Sequence, residues 1–320
     1  MKRRAFGSAV LAGAALALAP WRAWAQGASA FDVQEFDWVD MARQRAVPVR
    51  LYWPAAAGDA PVPLVVFSHG IGGSRRGYSY LGQHWSAHGI ASLHLQHVGS
   101  DRALWMGNPF GLIGRLQDAA QEREAVERPR DLRFALDTLL AGPLGERIDR
   151  RRIAAAGHSY GANTTLLAAG ARVERDGRTV DLHDERLSAA LVLSAPPFYG
   201  EADASRILSP VRLPTLHVTA TGDVIRIPGY WSGAEDRIAV YEAVGSRRKA
   251  LAVFEGGSHS MFTDRAGTGG AELNPRVKQA TRELTLAFLD AQFGREGTAP
   301  LAQWAERHRA IVARFDLPVA

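Results

Sequence analysis

The chain of 320 residues contains 38 basic and 33 acidic residues, which give it a formal net charge of +5. Residues 1–25 hold four basic and no acidic side chains, so the remainder has a net charge of only +1. Because its arginines are scattered among acidic residues, the composition argues against a nucleic-acid partner. Cysteine is absent, which excludes disulfides, a lipidated cysteine, a thiolate nucleophile and cysteine-ligated zinc.

The first 25 residues have the pattern of an export signal. Basic residues 2–4 precede an apolar run over 5–19, and Ala23-Trp24-Ala25 matches a cleavage site. The apolar run is shorter than the roughly 20 residues that span a bilayer, so we expect cleavage near Gln26 and no stable membrane span afterwards. The mature protein would then be periplasmic or secreted. The pair Arg3-Arg4 also fits a twin-arginine signal, which leaves the export route open.

The rest of the chain alternates between buried-type strands and helices. This alternation predicts an α/β fold whose doubly wound, mostly parallel sheet is flanked by helices. We expect residues 26–320 to form a single domain, with its core at about 45–293. Strands are predicted at 47–53, 63–68, 90–95, around Ile153, and at 189–194, 215–219 and 249–254. Helices are predicted at 78–88, across the apolar positions of 132–140, after Ser159, from an Asn274 N-cap to Phe293, and as an extra C-terminal helix over 299–314.

A Gly-x-Ser-x-Gly turn follows the strand at Ile153. Gly157 and Gly161 flank Ser159, and small residues suited to a helix start come next. This pattern is typical of a nucleophile elbow, in which the serine lies on a strained strand-to-helix turn. Ser159 is therefore the predicted nucleophile.

A serine nucleophile needs a histidine base and a carboxylate that orients the base. Asp223 follows the strand at 215–219, and His259 follows the strand at 249–254. The ends of such strands are where open α/β sheets carry their sites. We therefore predict a Ser159, Asp223 and His259 triad, with Asp236 or Glu255 as alternative acids.

Two further parts of the site can be predicted. The glycine-rich loop at 68–73 follows a buried strand, so the backbone N–H of Ile71, with that of Tyr160, is expected to form an oxyanion hole. The segment between Gly99 and Glu127 is rich in apolar residues and could cover a substrate pocket or merely pack under a surface loop. The predicted pocket residues are Trp105, Met106 and Phe110. No metal site is expected, because His84, His88, His94 and His97 lack a metalloprotease-type arrangement.

The motifs around residues 68–73, 157–161, 222–223 and 256–262 resemble those of the α/β-hydrolase superfamily. Within it, the chain is most similar to bacterial proteins labelled predicted dienelactone hydrolases and to platelet-activating-factor acetylhydrolase-like and polyester-hydrolase-like esterases. The resemblance spans about residues 45–293 and implies a cofactor-free serine esterase with the triad and oxyanion donors given above. True dienelactone hydrolases use a cysteine, which this chain lacks. Some acetylhydrolases keep their acid after the preceding strand, but residues 194–200 offer none, which favours Asp223.

These features favour hydrolysis of a small-molecule, lipid or polymer ester. The same triad could instead cleave amides or peptides, because acyl transfer requires the same groups until the leaving group is protonated. A catalytically silent binding module is a third possibility, although such modules usually lose a triad member and all three positions are filled here. The sequence does not indicate the oligomeric state.

The leader generates a direct prediction. Protein recovered from a host that performs native-like export should start near Gln26, because the signal is removed after transport. Mass spectrometry of the intact protein measures this start. An intact Met1 in the cytosolic fraction would contradict the export hypothesis.

Overall fold

The structure, a computed structural model, describes residues 29–317, and the predicted leader lies outside them. In chain order the strands are β1 (Phe31–Asp40), β2 (Arg45–Pro54), β3 (Val62–Ser68), β4 (Ala91–Leu95), β5 (Ile148–His158), β6 (Arg172–Arg175), β7 (Arg178–Asp181), β8 (Ala189–Leu193), β9 (Thr215–Ala220), β10 (Ile225–Ile227), β11 (Tyr230–Ser232), β12 (Lys249–Phe254) and β13 (Val312–Asp316). The helices are α1 (Ser79–Ala87), α2 (Leu112–Ala119), α3 (Glu122–Ala141), α4 (Tyr160–Ala168), α5 (Ala204–Leu208), α6 (Ala234–Ala243), α7 (Leu273–Gln292) and α8 (Ala299–His308).

Nine of these strands form one sheet in the order β1-β2-β4-β3-β5-β8-β9-β12-β13. Every neighbouring pair from β4 to β12 is parallel, whereas β1, β2 and β13 are added in antiparallel pairs. Two short hairpins, β6–β7 and β10–β11, lie outside this sheet. The architecture confirms the predicted mostly parallel sheet flanked by helices.

The central strands are continuously apolar because helices cover both faces of the sheet. Successive side chains of a strand point to opposite faces. In β3, Val65 and Phe67 pack with α1, α7 and α8, whereas Leu64 and Val66 pack with α3. Helices α4, α5 and α6 share a third apolar cluster against β8. The predicted apolar face of α3 is accordingly buried from Leu132 to Leu140.

The sheet also contains two strands that lie outside the predicted core of about residues 45–293, one near each end of the chain. Strand β1 was not predicted, because its side chains are mostly exposed and show little apolar pattern. The predicted helix over 299–314 is wrong in its second half: α8 ends at His308, and β13 pairs with the edge of β12. Apolar spacing continues through Ile311, but sequence periodicity does not show that β12 has a free edge to be covered.

The start of α7 also differs from its prediction. The helix begins at Leu273, and Asn274 lies inside the first turn instead of capping it. The Asn274 Nδ2 atom donates hydrogen bonds to Thr268 O at 2.7 Å and to Thr268 Oγ1 at 3.1 Å. The amide therefore anchors the preceding loop. Among the described helices, none is both long enough and apolar enough to cross a membrane.

Trp304 provides a test of how α8 contributes to stability. Its side chain is fully buried against the face of the sheet that α7 covers, and Nε1 donates to Ala280 O at 2.8 Å. Trp304→Ala should lower the free energy of unfolding by about 3–5 kcal/mol, since it leaves a large cavity and removes the hydrogen bond to Ala280. Denaturant unfolding measures the change. The control Trp231→Ala removes a side chain that is 68% exposed and should cost less than about 0.5 kcal/mol. Equal losses in the two variants would contradict this description of the core.

Candidate active site

The backbone turn at Ser159 is enforced by close packing. Ser159 lies between β5 and α4 with φ of 55° and ψ of −122°, a conformation that non-glycine residues rarely adopt. A Cβ added at Gly157 would lie 2.1 Å from the carbonyl oxygen of Gly161, and one added at Gly161 would lie 1.9 Å from that of Ser68. Both distances are far below van der Waals contact. Only glycine fits at these two positions, and their close approach to neighbouring backbone permits the turn that presents Ser159.

The structure brings the three predicted triad residues together. His259 Nε2 lies 2.8 Å from Ser159 Oγ, and His259 Nδ1 lies 2.8 Å from Asp223 Oδ1. An ionised carboxylate only accepts hydrogen bonds, so Nδ1 carries the proton and Nε2 of the neutral ring is free to accept one. This geometry suits the transfer of a proton from the Ser159 hydroxyl to His259.

Asp223 is fully buried, and its carboxylate is held by several donors. Thr219 Oγ1 donates to Oδ2 at 2.8 Å, and Arg237 Nε lies 3.4 Å from Oδ1. Burial raises the pKa of Asp223, but the hydrogen bond from His259 and the charge of Arg237 lower that pKa by more than burial raises it. The net pKa of Asp223 lies well below its usual range, so the carboxylate is ionised.

The alternative acids make other contacts. Asp236 Oδ2 accepts a hydrogen bond from Gly233 N at 2.7 Å at the start of α6. Glu255 is exposed, and its Oε1 lies 3.3 Å from Thr221 Oγ1. The carboxylate that contacts His259 is therefore that of Asp223.

Sequence reasoning missed Ser194, which also contacts this pair. Ser194 follows β8 with φ of 53°, and its hydroxyl donates to Asp223 Oδ2. The Ser194 Oγ atom also lies 2.8 Å from His259 Nδ1. The available signal was positional: a hydroxyl residue directly follows the buried strand between β5 and β9. No triad pattern requires such a residue, so the sequence alone did not distinguish it from a loop serine.

The ring of His158 links two parts of the site. His158 Nε2 lies 2.9 Å from His259 O, which is an acceptor, so Nε2 donates this hydrogen bond. Burial lowers the pKa of His158 to about 3, so the ring is neutral and its Nδ1 accepts from Tyr78 Oη at 2.9 Å. Tyr78 Oη in turn accepts from Gly70 N at 3.2 Å. A chain of hydrogen bonds therefore runs from the glycine loop to the backbone of His259.

The two predicted oxyanion donors lie beside Ser159. Ile71 belongs to the loop after β3, Tyr160 begins α4, and both line the same cavity as Ser159. Within the described residues, neither the Ile71 N–H nor the Tyr160 N–H forms a hydrogen bond. Both amides are therefore available to an oxygen bound at the site.

Two cavities meet at Ser159. One, of about 320 Å³, is mainly apolar. The other, of about 510 Å³, is more open and contains the histidine of the triad. The apolar cavity is lined, among others, by Leu116, Leu167, Phe198, Tyr199, Ile225, Ile227 and Tyr230. The open cleft is lined, among others, by Arg102, Trp105, Arg226, His259, Asp264 and Arg265.

The predicted pocket residues have different positions. Trp105 lines the open cleft, and its Nε1 donates to Gly72 O at 2.8 Å. Met106 and Phe110 line neither cavity and are 71% and 96% exposed, so their assignment to the pocket is wrong. The reason is local: the turns that carry them lie ahead of α2 and face outward, and Leu116 of α2 lines both cavities instead. Sequence spacing does not show which apolar residue of a covering segment turns inward.

The other histidines form local contacts. The rings of His84 and His88 contact each other at a tilt of 50° with centroids 4.3 Å apart, while His97 contacts Asp131 and Ser68 at 3.0 Å each. In residues 29–317, no group of three or more His, Cys, Asp or Glu side chains is arranged to hold a metal ion.

Comparison with known proteins identifies sequences that are similar to parts of the chain. Residues 27–105 match the family model described as platelet-activating factor acetylhydrolase, isoform II. The platelet-activating factor acetylhydrolase of Cavia porcellus is 26% identical over 150 residues, an alignment that covers 38% of this chain and 34% of the relative. The chain therefore matches about a third of the length of that curated relative.

A solved structure resembles nearly the whole chain. The ferulic acid esterase from Streptomyces cinnamoneus superposes with a TM-score of 0.64 at 22% sequence identity, covering 90% of this chain and 98% of that one. At this identity the likeness establishes the fold. Together with the sheet order, this likeness confirms the predicted fold: the chain has an α/β-hydrolase fold.

Proposed function

We propose that this protein is a serine hydrolase that cleaves carboxylic esters. The observation that carries the proposal is the unbroken set of contacts from Asp223 through His259 to Ser159, with 2.8 Å at each step, beside two unpaired backbone amides. The acetylhydrolase and ferulic acid esterase to which the chain is similar support this class of reaction. The proposed reaction requires no cofactor.

The reaction begins when His259 Nε2 removes the proton of Ser159 as its Oγ attacks the ester carbonyl. The N–H groups of Ile71 and Tyr160 donate to the oxyanion of the tetrahedral intermediate. The intermediate collapses when His259 protonates the leaving alcohol, and an acyl group stays on Ser159. A water molecule, deprotonated by His259, then attacks the acyl-enzyme and releases the carboxylic acid. Asp223 stabilises the imidazolium of His259 that forms during both acylation and deacylation.

The cavities suggest how an ester would bind. The apolar cavity suits a hydrocarbon portion of a small-molecule, lipid or polymer ester, because its wall combines aliphatic residues with Phe198 and Tyr230. The open cleft suits the more polar portion, since Arg102, Arg226 and Arg265 are exposed along it.

The predicted leader leads us to propose that the enzyme acts outside the cytoplasm, in the periplasm or as a secreted protein. The alternative of a silent binding module is disfavoured by the alignment of all three triad residues. A panel of para-nitrophenyl, phospholipid, polyester and aminoacyl-amide substrates would separate ester from amide hydrolysis.

The nucleophile can be tested by Ser159→Ala. The variant should lose about a million-fold in kcat on para-nitrophenyl acetate, since no other group can form the acyl-enzyme. Its denaturation midpoint should be unchanged, because the substitution removes one hydroxyl and opens no core cavity. His259→Ala should lose a similar amount, since triad members act as a unit. Activity above background in purified Ser159→Ala would exclude Ser159 as nucleophile.

The acid can be tested by Asp223→Asn, which preserves shape but favours the wrong tautomer of His259. We expect kcat to fall at least about a hundred-fold with little change in KM. Asp236→Asn and Glu255→Gln are matched controls, because their carboxylates make other contacts, and both should stay near wild type. If a control variant loses activity while Asp223→Asn keeps it, the assignment of the acid is wrong.

A further inference from the structure

Arg128 of α3 is the largest charged side chain that the structure buries completely. Its three nitrogen atoms donate hydrogen bonds to neutral acceptors: Nε to Thr164 Oγ1 at 2.9 Å, Nη1 to Ser100 Oγ at 2.7 Å, and Nη2 to the carbonyl oxygen of His69. Burial lowers the pKa of Arg128 to about 10, so the side chain remains charged at neutral pH. A buried charge without a contacting carboxylate is costly for folding, which calls for a physical reason for its presence.

Two of the three partners of Arg128 lie on the segments that carry the predicted oxyanion donors. His69 belongs to the loop after β3 and precedes Ile71 by two residues. Thr164 lies one turn into α4, whose first residue is Tyr160. The guanidinium carbon also lies 4.6 Å from the centroid of the Tyr160 ring, within range of a cation–π contact.

Ser100 adds a second connection to the same loop. Its hydroxyl accepts from Arg128 and donates to Glu124 Oε1 at 2.9 Å, while its backbone carbonyl accepts from Gly72 N at 2.8 Å. The loop is thus held at His69, directly by Arg128, and at Gly72, through Ser100. Ile71 lies between these two fixed points.

We propose that Arg128 is a positioning residue of the oxyanion hole: one planar guanidinium fixes the loop of Ile71 relative to the helix start at Tyr160, so that both N–H groups converge on the same oxygen. The inference rests on the proposed ester hydrolysis. The positive charge behind the two amides also favours an oxyanion over a neutral carbonyl, so its effect is larger in the transition state than in the bound substrate.

The test compares purified Arg128→Gln and Arg128→Lys with wild type on para-nitrophenyl acetate. Active sites are counted by end-point labelling with a fluorophosphonate, so that kcat refers to competent sites only. The expected result for Arg128→Gln is a drop in kcat of about a hundred-fold with KM within about threefold, as for the loss of one oxyanion donor. Arg128→Lys keeps the charge but cannot reach three acceptors in one plane, so it should recover part of the activity.

Arg186→Gln is the structural control. Arg186 donates to Asp184 at 2.6 and 2.8 Å and to Asp137 at 2.6 Å, and it lines neither of the two cavities at Ser159. This variant should have a lower denaturation midpoint and a kcat within about twofold of wild type. A merely structural role for Arg128 predicts the same behaviour for Arg128→Gln, namely lower stability with kcat per labelled site unchanged.

The inference is overturned if folded Arg128→Gln keeps kcat within about fivefold of wild type, or if only KM changes. If Arg128→Gln does not accumulate as folded protein, Arg128→Lys decides: a lower kcat with KM unchanged supports the inference, and a kcat equal to that of wild type overturns it. Failure of the proposed function has a separate signature: wild-type protein would neither hydrolyse the ester nor react with the fluorophosphonate.

Discussion

The constraint on which the site depends is the close backbone packing of β3, β5 and α4. Gly161 lies against the carbonyl of Ser68, and Gly157 against that of Gly161, at distances that leave no room for a Cβ. This packing holds Ser159 in a strained conformation and simultaneously sets the helix start beside the loop after β3. Ser159 and the two unpaired amides are therefore parts of one rigid arrangement.

Around that turn, the fold surrounds the reacting groups with buried polar side chains whose partners come from distant parts of the chain. The Asp223 carboxylate accepts hydrogen bonds from Thr219 of β9 and from Ser194, which follows β8. It also lies near the guanidinium of Arg237 in α6. His158 connects the backbone of His259 to Tyr78 at the start of α1. The low local dielectric strengthens the hydrogen bonds that join Asp223, Ser194, His158 and Tyr78 to their partners. Arg237 contributes mainly its charge, because its Nε and Nη2 atoms have no hydrogen-bond partner among the described residues.

Much of the fold and of the candidate site could be predicted from short stretches of the sequence. Continuous apolar strands, the glycine-bounded turn and polar residues at strand ends predicted the sheet and the sites of Ser159, Asp223 and His259, because these features follow from burial and strain over a few residues. What could not be predicted depends on long-range pairing: strand β13 at the edge of β12, the contacts of Ser194, and the outward direction of Phe110. Each requires knowledge of which distant surface is nearby, which periodicity does not contain.

The role of Ser159 as the activated nucleophile of an ester hydrolase is a proposal. Its most direct test is to react the purified protein with a fluorophosphonate and locate the adduct by peptide mass spectrometry. We expect one adduct per chain, on the peptide that contains Ser159, with loss of esterase activity in proportion to labelling. An adduct on another residue, or full activity in completely labelled protein, would contradict it.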